Sequence, residues 1–373
     1  MRIFVGILGL ILLLTTLWDA FETIILPRRV TRKYRFVRLF YRVYWTIWSA
    51  IHNLIRSPKL RDRHLSYFGP LSLLMLFATW ASSLLFAFAL LHWGAGSALN
   101  VARGSPSFRA DLYMSGTTFF TLGLGDVIPN SPLARVITVA ESGVGFGFLA
   151  VVISYLPTLY GAFSSRELNI SLLDARAGSP PTAAELLRRH VGLANTNVLT
   201  QYLREWEIWS AQLMESHLSY PVLCYFRSQH DNQSWLAGFT MVLDLSALIV
   251  AYGTGEAKWQ ARLTFAISRH AVVDLAEVLR VSPAHLLKNR LPPEDIAQVR
   301  KLLIQTGAAG ECAESGDAKL LELRKMYEPY LNGLSTRLLM PLPSWGVGAQ
   351  FVENWKRSAW GRISSAPETS DHF

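Results

Sequence analysis

Three stretches in the first half of this chain carry almost no charge. Ile3 to Trp18 is nearly continuous apolar sequence. Leu71 to Trp93 is interrupted only by small polar residues such as Ser72, Thr79, Ser82 and Ser83, and Leu133 to Tyr160 is longer still. A helix needs roughly 20 apolar residues to cross the hydrocarbon core of a bilayer. Each stretch therefore predicts a membrane-spanning helix, and the third is long enough to project beyond the bilayer. The first also has a signal-peptide reading, with Arg2 before the apolar run. No small-residue cleavage site follows it, and Asp19, Glu22 and Pro27-Arg28-Arg29 come instead, which favours a retained helix.

A different pattern fills the segment between the first two spans. Arg35, Arg38, Arg42, Thr46, Ser49, Asn53 and Arg56 recur at helical spacing as one polar stripe. Phe36, Leu39, Phe40, Val43, Ile47, Ala50 and Leu54 lie among the opposing apolar positions, and Trp45 and Trp48 suit the headgroup zone. This predicts an amphipathic helix on the inner membrane surface.

After Phe163 the chain becomes mixed in character. Arg166-Glu167 and the run from Asp174 to Pro181 read as a linker. Helical periodicity then recurs over 182–193, 198–217, 233–252, 257–281, 293–306 and 318–339, and strand alternation is scarce. The expectation is an all-α domain, with a disordered tail after about 341. Trp235 to Tyr252 is apolar, yet Asp244 at its middle and its modest length predict a buried core helix rather than a span.

Composition agrees with a membrane protein: 51% of residues are hydrophobic and mean hydropathy is +0.24. Charge fixes the orientation. Residues 27–64 hold eleven Lys and Arg against one acid, Asp62, while the whole chain carries a net charge of +9. The positive excess is therefore local. Flanked by membrane segments, it reads as a cytoplasmic loop touching anionic lipid headgroups rather than nucleic acid. The topology that follows puts the N-terminus outside, the basic helix inside and the 71–93 span running outward. The following loop then enters from outside, and the C-terminus is cytoplasmic. The boundaries expected are 1–69 for the first span and basic helix, 70–163 for the central membrane module, and 164–373 for the helical domain.

The chemistry is concentrated in Thr121-Leu122-Gly123-Leu124-Gly125-Asp126, between the second and third spans. Upstream, Phe108 to Phe120 predicts a short helix whose C-terminal end, carrying partial negative charge, favours a cation. Downstream, Pro129 and Pro132 break the chain. Glycines at alternate positions let successive carbonyls turn to one side, where they replace the water shell of a dehydrated cation. Thr121 adds its hydroxyl at the inner end.

The segment from about Leu71 to Phe163 resembles the pore module of potassium channels, with its outer helix, pore helix, filter and inner helix. The resemblance covers about a quarter of the chain. Leu122 stands where the common T-V-G-Y-G loop has Val, and Leu124 where it has Tyr. Leu124 is similar to the G-L-G variant of some two-pore-domain channels. Phe120 replaces the usual second Thr. The Tyr hydroxyl tie to the pore helix is thereby absent, which bears on potassium-over-sodium discrimination more than on cation passage.

The resemblance implies ion-binding carbonyls at Thr121, Leu122, Gly123, Leu124 and Gly125, with Asp126 at the filter mouth tying filter to pore helix. Thr117 and Thr118 would support the filter from the pore helix. It implies potassium as the permeant ion and neither cofactor nor structural metal. One loop per chain implies a homotetramer. Gly145 matches the family's hinge glycine, though close helix packing is an equal reading. Pro157 either shapes the gate or marks the membrane boundary. Glu141, ionisable within an apolar helix, either faces the cavity and attracts cations or bonds to Ser115, Thr117 or Thr118 behind the filter.

Other candidate chemistry is sparse. His270, Asp274 and Glu277 share a helical face, and Glu215 and His217 another, but without zinc-motif spacing. Cys224 and Cys312 form no C-x-x-C pair and are expected to stay reduced. No phosphate loop, dinucleotide fingerprint or nucleophile elbow is visible, so no enzyme is expected. The reading is an all-α integral membrane protein acting as a potassium channel in the cell membrane. A weakly selective cation channel and a membrane-anchored scaffold with a vestigial pore are the alternatives.

Overall fold

A computed structural model describes residues 1–26, 35–101, 105–191, 196–229, 232–284, 289–309 and 316–346. The basic residues Arg28, Arg29, Arg32 and Lys33, Cys312, and the chain beyond 346 lie outside the described residues. The chain divides into two compact units. One is Met1–Ser165 joined by Glu215–Arg227, and the other is Arg166–Met214 with the chain from Ser228 on.

The first unit is built on three long apolar helices, α1 (Arg2–Ile24), α4 (Phe68–Gly94) and α6 (Pro132–Ala177). Among the described residues, α1, a helix over Lys59–Gly94 and α6 are each long and apolar enough to cross a membrane. Helix α1 lies directly along α4. A Cβ on Gly9 would come 2.8 Å from the carbonyl oxygen of Ala87, and one on Gly94 2.6 Å from Gly6 Cα. Small residues let membrane helices approach this closely, where lipid gives no hydrophobic drive to association. The acids of α1 are turned inward and partnered. Asp19 accepts from Trp80 Nε1 at 3.1 Å. Glu22 accepts from Trp18 Nε1 at 2.7 Å and lies 3.4 Å from Arg35 Nε.

Helix α2 (Phe36–Asn53) forms where the amphipathic pattern predicts it, and α3 (Pro58–Ser66) follows. Its aromatics pack inward: Trp45 meets Phe68 edge-on at 4.7 Å and Tyr225 at 5.0 Å. Leu39, Val43, Ile47, Ile51 and Leu54 form an exposed aliphatic stripe, the face an interfacial helix presents to lipid.

Two sequence expectations are corrected here. A linker was to begin at Arg166, but α6 continues from Pro132 to Ala177, with Pro157 inside it. Membrane helices tolerate proline because their surroundings re-satisfy the freed backbone groups. Residues 215–227 were assigned to the C-terminal domain, yet they belong with the membrane unit. There Val222, Leu223 and Phe226 share a core with Leu73, Leu76, Phe77, Trp80, Tyr155 and Leu159, and Arg227 pairs with Asp62. A short antiparallel ribbon was also missed. β1 (Leu99–Val101) pairs with β2 (Val127–Pro129), with Asn100 opposite Ile128.

The second unit is helical, as expected, with α7 (Ala183–His190), α8 (Thr196–Ser219, to Met214), α9 (Trp235–Tyr252), α10 (Gly255–Val278), α11 (Pro293–Gln305) and α12 (Gly316–Leu338). Thr182 and Glu185 begin α7 in capping-box spacing, and Thr182 Oγ1 accepts from Glu185 N at 3.2 Å. Helix α9 is the core. Its apolar stretch is 94% buried within the protein, so it packs rather than spans. Asp244 at its middle is held by Arg290 through two bonds of 2.7 and 2.8 Å and by Tyr327 Oη at 2.6 Å. A buried carboxylate needs such partners to stay charged. The tail expected to be disordered after 341 still packs at Trp345, which is buried and accepts from Ala184 N through its carbonyl.

Candidate functional site

The loop at 120–126 follows directly from α5 (Phe108–Phe119), which the sequence predicts as the pore helix. Ser107 caps α5 by accepting from Ala110 N, and Phe108 anchors it edge-on against Phe86 and Trp93 of α4. The C-terminus of α5 then supplies the scaffold. Thr117 carbonyl oxygen accepts from Leu122 N at 2.7 Å and from Gly123 N at 3.3 Å, and Thr118 carbonyl oxygen accepts from Thr121 N at 3.0 Å. The loop amides thus point back at the helix end.

The backbone angles complete the arrangement. φ is +59° at Thr121, +56° at Gly123 and +77° at Gly125, with ordinary φ at Leu122 and Leu124 between them. Alternating left- and right-handed residues turn successive carbonyls toward one side of a ribbon. A Cβ at Gly123 or Gly125 would meet nothing within 4 Å, so glycine is needed for its dihedral freedom and not for space. Thr121 holds the same region despite a β-branched side chain. Such strain persists only where the surroundings enforce it. Sequence reasoning assigned the turning to the two glycines and missed Thr121.

At the outer end, Asp126 Oδ2 accepts from Tyr113 Oη at 3.0 Å. This joins the end of the loop to α5, and the β1–β2 ribbon ties the following segment to the end of α4. Behind the loop, Glu141 is fully buried and lies 3.6 Å from His92 Nε2. The side chain has no exposure in a single chain, which argues against the cavity-facing reading, and its oxygens accept no hydrogen bond from Ser115, Thr117 or Thr118. The partner is His92, which the sequence did not single out because it lies within the apolar run of α4. Ser115 is buried there too, and Asp111 accepts from Ser97 Oγ at 2.7 Å. Thr117 Oγ1 turns back to Met114 carbonyl oxygen at 2.9 Å, so Thr117 and Thr118 act on the loop through their main chains.

Gly145 sits against the end of α5, where an added Cβ would overlap the Phe119 carbonyl, while Gly143 and Gly147 face open space. Elsewhere, His270 Nε2 lies 3.4 Å from Asp274 Oδ2, and His217 is buried beside Ser216. Among the described residues no three His, Cys, Asp or Glu side chains come together in a way that could hold a metal ion. Cys224 is buried and forms no disulfide among the described residues.

With this geometry in place, comparison with known proteins bears on the same segment. Residues 73–160 match a protein family described as "Ion channel". A protein of Bacillus subtilis (strain 168), "Uncharacterized membrane protein YdjJ", is 23% identical over 240 residues, which is 64% of this chain and 69% of that protein. No solved structure matches the chain significantly. The pore-loop resemblance of the sequence and the family match cover the same helices. The chain is an all-α membrane protein carrying an ion-channel module.

Proposed function

We propose that four copies of this chain surround one axis in the cell membrane and pass potassium passively through rings of carbonyl oxygens from residues 121–125. The observation that carries this reading is the alternation of φ along Thr121, Gly123 and Gly125, with the Leu122 and Gly123 amides held by the carbonyl of Thr117. Amides pointing back leave carbonyls pointing forward, and inward-facing carbonyls are what a dehydrated cation needs. The ribbon is exposed in one chain, as are Val136, Val139, Phe146, Leu149 and Ile153 of α6. Those apolar surfaces suit a symmetric assembly around the ribbon. Asp126 then rings the mouth with negative charge. The basic residues of 35–63 favour a cytoplasmic α2 side, against anionic headgroups. The C-terminus is then cytoplasmic, and the helical unit tunes the gate.

Reconstituted protein under opposed potassium and sodium gradients tests this. The reversal potential follows potassium, and Gly123→Ala or Gly125→Ala abolishes current while assembly persists, because L-residues resist the left-handed region by about 1–2 kcal/mol each. A reversal potential tracking sodium equally makes the protein a weakly selective cation channel. Assembled wild-type protein without current contradicts conduction altogether.

A further inference from the structure

Outside the pore loop, the second unit carries an open cleft of about 500 Å³ between the end of α9, the first half of α10 and the start of α12. That volume lies within the usual range for small-molecule sites. Its floor is apolar, made by Val250, Phe265 and Leu323. Its walls bear three cations, Lys258 and Arg262 of α10 and Lys319 of α12. Lys319 pairs with Glu322 at 2.9 Å on the solvent side. Among the described residues neither Lys258 nor Arg262 forms an ion pair. The two sit four apart on one helix, where like charges repel and weaken the helix by a few tenths of a kcal/mol. The apolar floor next to them does nothing to relieve that repulsion. An anion between them does.

We propose that this cleft binds a small amphipathic anion, with a phosphate or carboxylate head between Lys258 and Arg262 and an apolar ring or chain on the Val250–Phe265–Leu323 floor. The arrangement matches how ligand sites are generally made, with an apolar lining and a few convergent polar groups that fix orientation. Arg262 can grip two oxygens at once, and Lys258 and Lys319 act as point charges. The site rests on the helical unit alone. If the gating reading above holds, it is the place where a soluble metabolite acts on the channel, but binding can be measured without current. Its failure is thus distinct from failure of the conduction reading.

The test is calorimetric titration of full-length protein in detergent with 1-naphthyl phosphate, alongside inorganic phosphate and neutral 1-naphthol. The naphthyl ester binds saturably, and it binds at least about tenfold tighter than either control. Lys258→Ala/Arg262→Ala weakens it about a hundredfold or more, as expected for loss of two charge-assisted contacts. Because both residues are surface cations, the variant should fold, and an unchanged melting temperature without ligand verifies this. Equal affinity of wild type and double variant overturns the proposal, as does absence of saturable binding at millimolar ester. Inorganic phosphate binding as tightly as the ester removes the role of the apolar floor and also overturns it.

Discussion

The carbonyl oxygen of Phe119, the last residue of the pore helix, occupies the space where a Cβ on Gly145 would project. Helix α6 thereby touches the C-terminal end of α5, where the 120–126 loop begins, without any side chain between them. Of the two roles open to Gly145 in the sequence, hinge or close packing, the contact supports packing. Gly145→Ala must displace either the inner helix or the end of α5, and overpacking of this kind costs about 1–3 kcal/mol. The expected outcome is a lower melting temperature in detergent and altered filter behaviour. Gly143→Ala and Gly147→Ala, whose surroundings in the chain are open, have smaller effects. Thermal melts of the three variants side by side check this. Equal tolerance of alanine at all three positions contradicts the packing role.

His92 and Glu141 are both buried and 3.6 Å apart. Removing one member of a buried polar pair strands the other, at a cost of about 3–5 kcal/mol for a charged partner. His92→Leu therefore destabilises the membrane unit strongly. Adding Glu141→Leu to it restores part of the loss, because the stranded carboxyl is gone. A double-mutant cycle on full-length protein measures the coupling, expected at about 1 kcal/mol or more. Additive losses would show that the two side chains do not act as a pair.

Glu185 opens α7 and accepts from Arg188 and Arg189 at 2.6–2.7 Å. Burial pushes its carboxyl upward, but the two guanidiniums outweigh that and hold its pKa below the ordinary 4.5. A group whose folded pKa is depressed contributes stability above its unfolded pKa and loses it as pH falls through the folded one. The helical unit accordingly weakens as pH drops below about 4.5, the unfolded value. Glu185→Gln lowers the melting temperature at neutral pH and flattens its acid dependence. Melts across this pH range check the sign, and a variant with the wild-type acid slope contradicts it.

The long elements were legible because their patterns are strong. Three long, predominantly apolar runs predict helices of membrane length, and 3.6-residue periodicity placed the helices α7 to α12 within a few residues. The left-handed turns at Gly123 and Gly125 were legible because glycine spacing constrains the main chain directly. What was missed depended on contacts distant in sequence. His92 reads as one polar residue in an apolar helix until Glu141 is folded against it. The β1–β2 ribbon uses three-residue strands, too short for alternation to register. The segment at 221–226 fell between two expected helices, inside the bounds expected for the C-terminal domain, and only the fold places Phe226 against Gly69 of α4.

The most direct test is a high-resolution image of the assembled protein in potassium. The account predicts four loops around one axis, with ion density ringed by the carbonyl oxygens of Thr121, Leu122, Gly123 and Leu124. Loops lying apart from any common axis, or carbonyls turned away from it with no ion between them, would contradict it.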